Sequence, residues 1–142
     1  MYISDAKRLT TEGARKIKNA AVKAAEKAGI PITVAVVDSG GHLLVLERMD
    51  GGKFHSVHSA TTKAVCAASN KRNTGSTGAV GQSLDVLHAL GLALAAGPER
   101  WTAMEGGIPV MVGSECIGGV GVAGGNWEFD EKVAREAVDA LK

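Results

Sequence analysis

The chain has 142 residues, of which 45% are hydrophobic, and a formal net charge of +1 from 16 basic and 15 acidic residues. This size and composition indicate one globular domain, residues 1–142, that can bury a core without disulfides or metal. The near balance of charge excludes a broad basic surface, so neither nucleic acid nor an anionic membrane is expected as a partner. The polar N-terminal segment and the lack of a long apolar stretch predict a cytoplasmic protein.

The first half of the chain predicts a helix followed by a β-hairpin. Ser4 is placed to cap the helix, whose apolar residues recur at helical spacing until Gly29 and Pro31 end it. Two apolar runs, Ile32–Val37 and Leu43–Glu47, are separated by a short segment with two glycines. Because glycine accepts the positive φ of a tight reversal, the two runs are predicted to pair as antiparallel strands.

The second half predicts two more helices, three strands and a closing helix. Three- and four-residue spacing favours helices from Phe54 to Lys71 and from Leu84 to Leu94. The other elements are predicted at Trp101–Met104, Ile108–Val112, Ile117–Ala123 and Asp130–Leu141. The order is αββααβββα, and the short links between strands require antiparallel pairing. We therefore predict an α/β (α+β) fold with a five-stranded antiparallel sheet and flanking helices.

A glycine-rich stretch, Gly119–Gly124, has the spacing GxGxxG. Its glycines lie inside a predicted strand and do not open a helix, so a dinucleotide site is not expected. Alternation along the strand puts Gly119, Gly121 and Ala123 on one face, which leaves a flat strip without long side chains. We expect a helix of another subunit or a planar ligand to approach this strip, and Gly119 and Gly121 are candidate ligand-binding residues.

Two histidines are the candidate metal ligands. His55 and His58 are three residues apart at the start of the second helix and share a face, a spacing that can serve a metal or haem iron. The HExxH pattern of zinc peptidases is absent. The alternative is an exposed, polar helix start. His42, in the Gly-Gly-His turn, is either an exposed turn residue or a ligand contact.

Charged residues cluster near the ends of the predicted hairpin. Arg48 can hold a carboxylate of the protein or of a small acid, with Asp38 and Asp50 nearby in sequence. The alternative is that the two aspartates cap turns and one forms an ion pair with Arg48. Lys63 follows Ser59 by one helical turn and is either ion-paired, solvated or in contact with a ligand. Asp38, His42, Arg48, Asp50 and Lys63 complete the ligand-binding candidates.

No catalytic nucleophile stands out. The GxSxG pattern is absent. Cys66 and Cys116 are fifty residues apart and lack a CxxC partner, so we expect buried, unreactive thiols.

Several separated blocks of the chain match one known family in order, spacing and residue type. They are Val34–Asp38, Gly40–Leu43, Arg48–Gly51, Ser56, Ala60, Lys63, Ala64, Gly106–Pro109, Gly118–Val122, Gly124, Asp130, Glu131 and Ala134. The chain resembles the GlcG/HbpS haem-binding-protein family, which also supplies the C-terminal domain of PduO-type corrinoid adenosyltransferases. The resemblance implies a profilin-like domain, usually a homo-oligomer, and haem binding in some members. It implies no nucleotide site, and it identifies no iron ligand.

Three hypotheses about function follow. The first is a cytoplasmic accessory protein that binds haem or another tetrapyrrole in a cleft lined by residues 38–52, the second helix and the glycine strip. One of the two neighbouring histidines would then bind the iron. The second is an enzyme or enzyme-assisting subunit for a small hydroxy acid or polyol, with Arg48 as anion clamp and Asp38 or Asp50 as acid or base. The third is a structural scaffold assembled through the glycine strip.

Overall fold

A computed structural model describes all 142 residues and contains four helices and one sheet of four strands. The elements are α1 Thr11–Ala28, β1 Thr33–Asp38, β2 Leu43–Arg48, α2 Ser56–Asn70, α3 Val86–Ala96, β3 Gly107–Val112, β4 Glu115–Ala123 and α4 Trp127–Asp139. The sheet is antiparallel throughout, in the order β2-β1-β4-β3. None of the helices combines the length and apolarity that a membrane span requires.

The predicted fifth strand, Trp101–Met104, is wrong, and the element order is αββααββα. The outer edge of β3 is already occupied at its start, because the Gly107 N–H donates to Thr74 Oγ1 at 2.9 Å and the Gly107 carbonyl accepts from the Thr74 N–H at 2.9 Å. Residues 101–104 lie instead beside α2, where Cys66 Sγ is 3.6 Å from the Thr102 carbonyl oxygen. Trp101 is buried there while Met104 is 53% exposed, and a short apolar run cannot be assigned to a strand by its pattern alone.

Helix α1 starts later than predicted, since Ser4 does not cap it. Thr10 is the N-cap, and its hydroxyl accepts from the Gly13 N–H at 3.0 Å. The preceding Leu9 is buried in the core, and the Lys7 N–H donates to Glu115 Oε2 at 2.6 Å. These two contacts tie the segment just before the helix, Lys7 to Leu9, to the rest of the fold, whereas Met1 to Ile3 are fully exposed. The predicted end is confirmed, because Gly29 adopts a left-handed conformation with φ +70°.

The sheet separates two layers of helices, and period-two alternation along the strands determines which side each residue faces. Val34 and Val36 of β1 pack with α1 and α4, whereas Ala35 and Val37 pack with α2. Neighbours on α1 and α4 are mostly small or β-branched: Ala14, Ile17, Ala21, Ala25, Val133, Ala134 and Ala137. The core is therefore continuous from α1 and α4 to the sheet, with a second, alanine-rich layer under α2.

The glycine strip of β4 lies directly under α2. A Cβ at Gly121 would overlap the Ala60 carbonyl oxygen, and a Cβ at Gly119 would overlap the Ala64 carbonyl oxygen. The structure therefore corrects the expectation that a ligand or another subunit approaches Gly119 and Gly121. The helix that comes close is the chain's own, and it fills the face that was expected to be open.

Because the α2 backbone lies where a side chain at position 121 would be, Gly121→Val should destabilise the fold by about 3 kcal/mol or more. The measurement is the midpoint of urea unfolding. Gly75→Val in the loop after α2 is the matched control, since a Cβ there would meet only the Glu105 side chain, at 3.9 Å. A Gly121→Val chain that unfolds at the wild-type midpoint would contradict this close packing.

Candidate functional site

The hairpin turn holds Asp38 and His42 in a structural role. Asp38 Oδ1 accepts from the backbone N–H of Gly40 at 2.9 Å and of His42 at 3.0 Å, and lies 3.1 Å from His42 Nδ1. Burial tends to raise the pKa of Asp38, but these hydrogen bonds and the charge of the His42 ring outweigh it and lower that pKa. The turn-capping alternative thus accounts for Asp38 and for the contacts of His42.

Arg48 and Asp50 lie at the other end of the hairpin. Arg48 is opposite Thr33 at the start of β1, so it is about 17 Å along the strand from Asp38. Both Arg48 and Asp50 are exposed, and neither belongs to any ion pair of the chain. The fold therefore does not bring Arg48 and Asp38 together, and the expected pairing of an anion clamp with that acid or base does not form.

The first half of α2 borders a cavity of about 510 Å³, which we call the α2–α3 cavity. His58 and Ser59 of α2 lie on one side, and residues of α3 lie on the other. The apolar lining comes from Val86, Ala89, Leu90, Ala93, Pro98, Trp101, Ala103 and Met104. A large, mostly apolar space with one histidine at its wall is suited to a flat apolar ligand that presents a metal.

A second cavity of about 380 Å³ adjoins the first, and we call it the lysine cleft. It shares Ser59, Lys63 and Met104 with the α2–α3 cavity. Its other polar residues come from the starts of α2 and α4 and the segments before them: Lys53, His55, Ser56, Asn126 and Asp130. Among the residues predicted from the sequence, the fold thus brings together His55, His58 and Lys63.

A buried ion pair joins α2 to α4 at the base of the lysine cleft. Lys63 Nζ is 3.2 Å from Asp130 Oδ2 and 2.8 Å from the Val122 carbonyl oxygen, and the two side chains are only 7% and 4% exposed. Burial raises the pKa of Asp130, against the opposing effects of the Lys63 charge and of the Gly125 N–H. Lys63 is therefore the ion-paired residue that one of the sequence alternatives described.

The sequence interpretation missed Asp130, Trp101 and Met104 as site residues. Asp130 lies 67 residues from Lys63, and its only sequence signal was its place in the family pattern near a helix start. Trp101 and Met104 were assigned to a strand. The structure contains no group of three or more His, Cys, Asp or Glu side chains that could hold a metal ion. Neither of the two predicted metal ligands belongs to such a group: His55 borders the lysine cleft and His58 borders the α2–α3 cavity.

Removing one member of the buried pair leaves an uncompensated charge, so Lys63→Met should destabilise the fold by about 3–5 kcal/mol at pH 7. In that variant burial acts on Asp130 without the lysine charge, so its folded-state pKa is raised further above the unfolded value. Stability is then greatest below the unfolded pKa of about 4 and is lost as the pH rises through the folded pKa.

Urea unfolding of Lys63→Met between pH 4 and pH 8 measures this effect. The double variant Lys63→Met, Asp130→Asn is the control, because it has no buried charge and should recover much of the loss with little dependence on pH. A loss of stability in Lys63→Met that is the same at pH 4 and at pH 8 would contradict the assigned ion pair.

Comparisons with known proteins agree with this fold. Residues 9–139 match the family model described as haem degrading protein HbpS-like. The chain is 32% identical to protein GlcG of Escherichia coli over 115 residues, which is 81% of each chain. It is similar to a double mutant of Streptomyces reticuli HbpS, with 35% identity and a TM-score of 0.82 over 99% of this chain and 91% of that one.

A solved complex of PduOC with haem is also similar. It has a TM-score of 0.83 and 28% identity, and the match covers 94% of this chain and 95% of that one. The family model spans most of the chain, and the fold agrees over nearly its full length. The chain therefore belongs to the GlcG/HbpS family.

Proposed function

We propose that this protein binds haem or another tetrapyrrole in the α2–α3 cavity and acts as an accessory protein. The observation that carries the proposal is the position of His58 at the wall of an apolar cavity of about 510 Å³, opposite α3. That volume lies within the range of ordinary small-molecule sites, roughly 300–1,000 Å³. The similarity to a haem complex of PduOC and to HbpS supports the same ligand class.

The residues present fit a haem group. Val86 and Leu90 offer exposed aliphatic surface to the macrocycle, and the exposed His58 imidazole is free of any hydrogen bond to a carboxylate. Bound haem would supply an iron centre whose properties depend on the axial ligand and the polarity around it. His58 would hold that iron, while the apolar lining would exclude water from one face of the ring. His55 borders the adjoining lysine cleft and is the second candidate.

Titration of hemin into the purified protein should give a saturable, shifted Soret band at one haem per chain. His58→Ala should abolish or strongly weaken that shift, because it removes the axial nitrogen, and His55→Ala should have the smaller effect. Absorption spectroscopy makes the measurement. His42→Ala is the control, because His42 lies in the hairpin turn and borders neither cavity.

Two results would count against haem binding through His58. One is the absence of any saturable Soret band in the wild-type chain. The other is a band that is identical in position and affinity after His58→Ala.

We also infer that α3 is covered by a second copy of the chain. Apart from His88 and Gly91, α3 consists only of valine, leucine and alanine, yet none of its residues is buried. Leu87 and Leu94 are 76% and 69% exposed. A helix that is apolar on all sides is typical of a buried position, and an isolated helix of this length is marginal in water.

A second copy is the partner that best fits this surface. On the face of α3 turned away from the α2–α3 cavity, Leu87, Leu92 and Leu94 are 76%, 41% and 69% exposed. A contiguous apolar surface of this kind is typical of a protein–protein interface. The helix contains no Lys, Arg, Asp or Glu, so two copies can meet there without repulsion between like charges.

Placing a charge on α3 should therefore break the assembly. The double variant Leu87→Glu, Leu94→Glu should shift the native mass from oligomer to monomer at tens of micromolar, since burying two unpaired carboxylates is costly. Light scattering after size exclusion gives the mass. Leu43→Glu is the control, because Leu43 is a half-exposed leucine on β2. A monomeric wild-type chain, or an unchanged mass in the double variant, would refute this inference.

A further inference from the structure

The lysine cleft contains a buried ammonium group with unused hydrogen-bonding capacity. Lys63 Nζ has three N–H donors, and the Val122 carbonyl and Asp130 Oδ2 accept from two of them at 2.8 and 3.2 Å. The side chain is 93% buried and borders both the lysine cleft and the α2–α3 cavity. The third N–H therefore lacks a protein acceptor, although the group is almost fully shielded from solvent.

Ser56 adds a second donor to the same cleft. It is only 3% exposed and lines the cleft at the first turn of α2. Its hydroxyl has no hydrogen-bond partner in the protein, whereas the hydroxyl of Ser59 donates to the His55 carbonyl at 3.3 Å. Thr33 Oγ1 is the only fully enclosed side-chain polar atom of the chain without a partner. The Ser56 hydroxyl also lacks a partner, so it is not fully enclosed, and its accessible part faces the cleft that Ser56 lines.

The charges around the cleft favour a single negative charge. Lys53 and Lys63 oppose one carboxylate, Asp130, which gives a formal charge of +1 while His55 is neutral. Helices α2 and α4 both begin at this cleft, and the N-terminal end of a helix dipole is positive. A monoanion with two oxygen acceptors would satisfy the free donors of Lys63 and Ser56 and balance the charge.

We propose that the lysine cleft binds a carboxylate group, with its oxygens accepting hydrogen bonds from Lys63 Nζ and Ser56 Oγ. Two sources carry this group. One is a free small monocarboxylate, for which a cleft of about 380 Å³ has room. The other is a propionate of a haem in the adjoining α2–α3 cavity, which shares Ser59, Lys63 and Met104 with the cleft. Only the second source rests on the proposed haem function.

The first arm of the experiment tests the free carboxylate. Acetate is titrated into the wild-type chain by NMR at constant ionic strength, with neutral acetamide as the control ligand. Saturable shifts with acetate and none with acetamide are expected. Ser56→Ala should weaken acetate binding about tenfold, since it removes a hydrogen bond to a charged group. Ser69→Ala, the same change on α2 outside the cleft, should leave it unchanged.

The second arm tests the haem propionate. Hemin and hemin dimethyl ester have the same iron and macrocycle, but the ester lacks the carboxylates. Hemin should bind more tightly than the ester, and the ratio of the two affinities should shrink about tenfold in Ser56→Ala but not in Ser69→Ala. Lys53→Met is a second variant that should reduce the same ratio while leaving the buried Lys63–Asp130 pair intact.

The two arms separate the possible failures. If hemin does not bind but acetate binds and depends on Ser56, the haem proposal falls and the carboxylate site stands with a free ligand. If acetate does not bind but the hemin-to-ester ratio depends on Ser56, the carboxylate is the propionate. If acetate shows no saturable binding and hemin either fails to bind or keeps the same ratio to its ester in Ser56→Ala, the lysine cleft is not a carboxylate site.

Discussion

The close contact between α2 and the glycines of β4 sets the position of the candidate residues on α2, among them His58 and Lys63. Because Gly119 and Gly121 have no side chains, the α2 backbone lies directly on the strand, with Ala60 and Ala64 at the contact. This short distance lets the Lys63 ammonium reach the Val122 carbonyl oxygen. It also fixes the N-terminal end of α2, so that the two histidines lie at the two adjoining cavities.

The buried ion pair is best understood as part of the site. Transferring an ammonium and a carboxylate out of water is expensive, and a buried pair often contributes little to net stability compared with apolar residues. Here the pair occurs where α2, β4 and α4 meet, at the base of a cleft with further unpaired donors. The Lys63 ammonium is fixed in place, shielded from water and still able to donate a hydrogen bond, which suits it to ligand binding. That role explains a buried pair whose net contribution to folding stability is modest.

Local sequence patterns predicted the elements whose determinants are local. The hairpin, the extent of α2 and the common face of Gly119, Gly121 and Ala123 follow from turn glycines and from periodicity, and the structure has all three. Contacts between residues far apart in the sequence could not be predicted from local patterns. The partner of Lys63 is 67 residues away, and the outer edge of β3 is occupied by Thr74 from a loop. The second of these contacts covers only the start of the β3 edge, at Gly107, and the apolar run at 101–104 does not pair with that strand.

If both proposals hold, helix α3 would link ligand binding to assembly through its own ordering. Val86, Ala89, Leu90 and Ala93 recur at helical spacing and form the wall of the α2–α3 cavity, whereas Leu87 and Leu94 are seven residues apart on an adjacent face. A cavity ligand and a second copy would therefore contact the same short helix on different faces. Since a helix of eleven residues is marginal by itself, whichever binds first meets the entropic cost of ordering it. The second partner then binds more tightly. Because coupling between two sites is reciprocal, ligand binding and self-association would raise each other's affinity by the same factor.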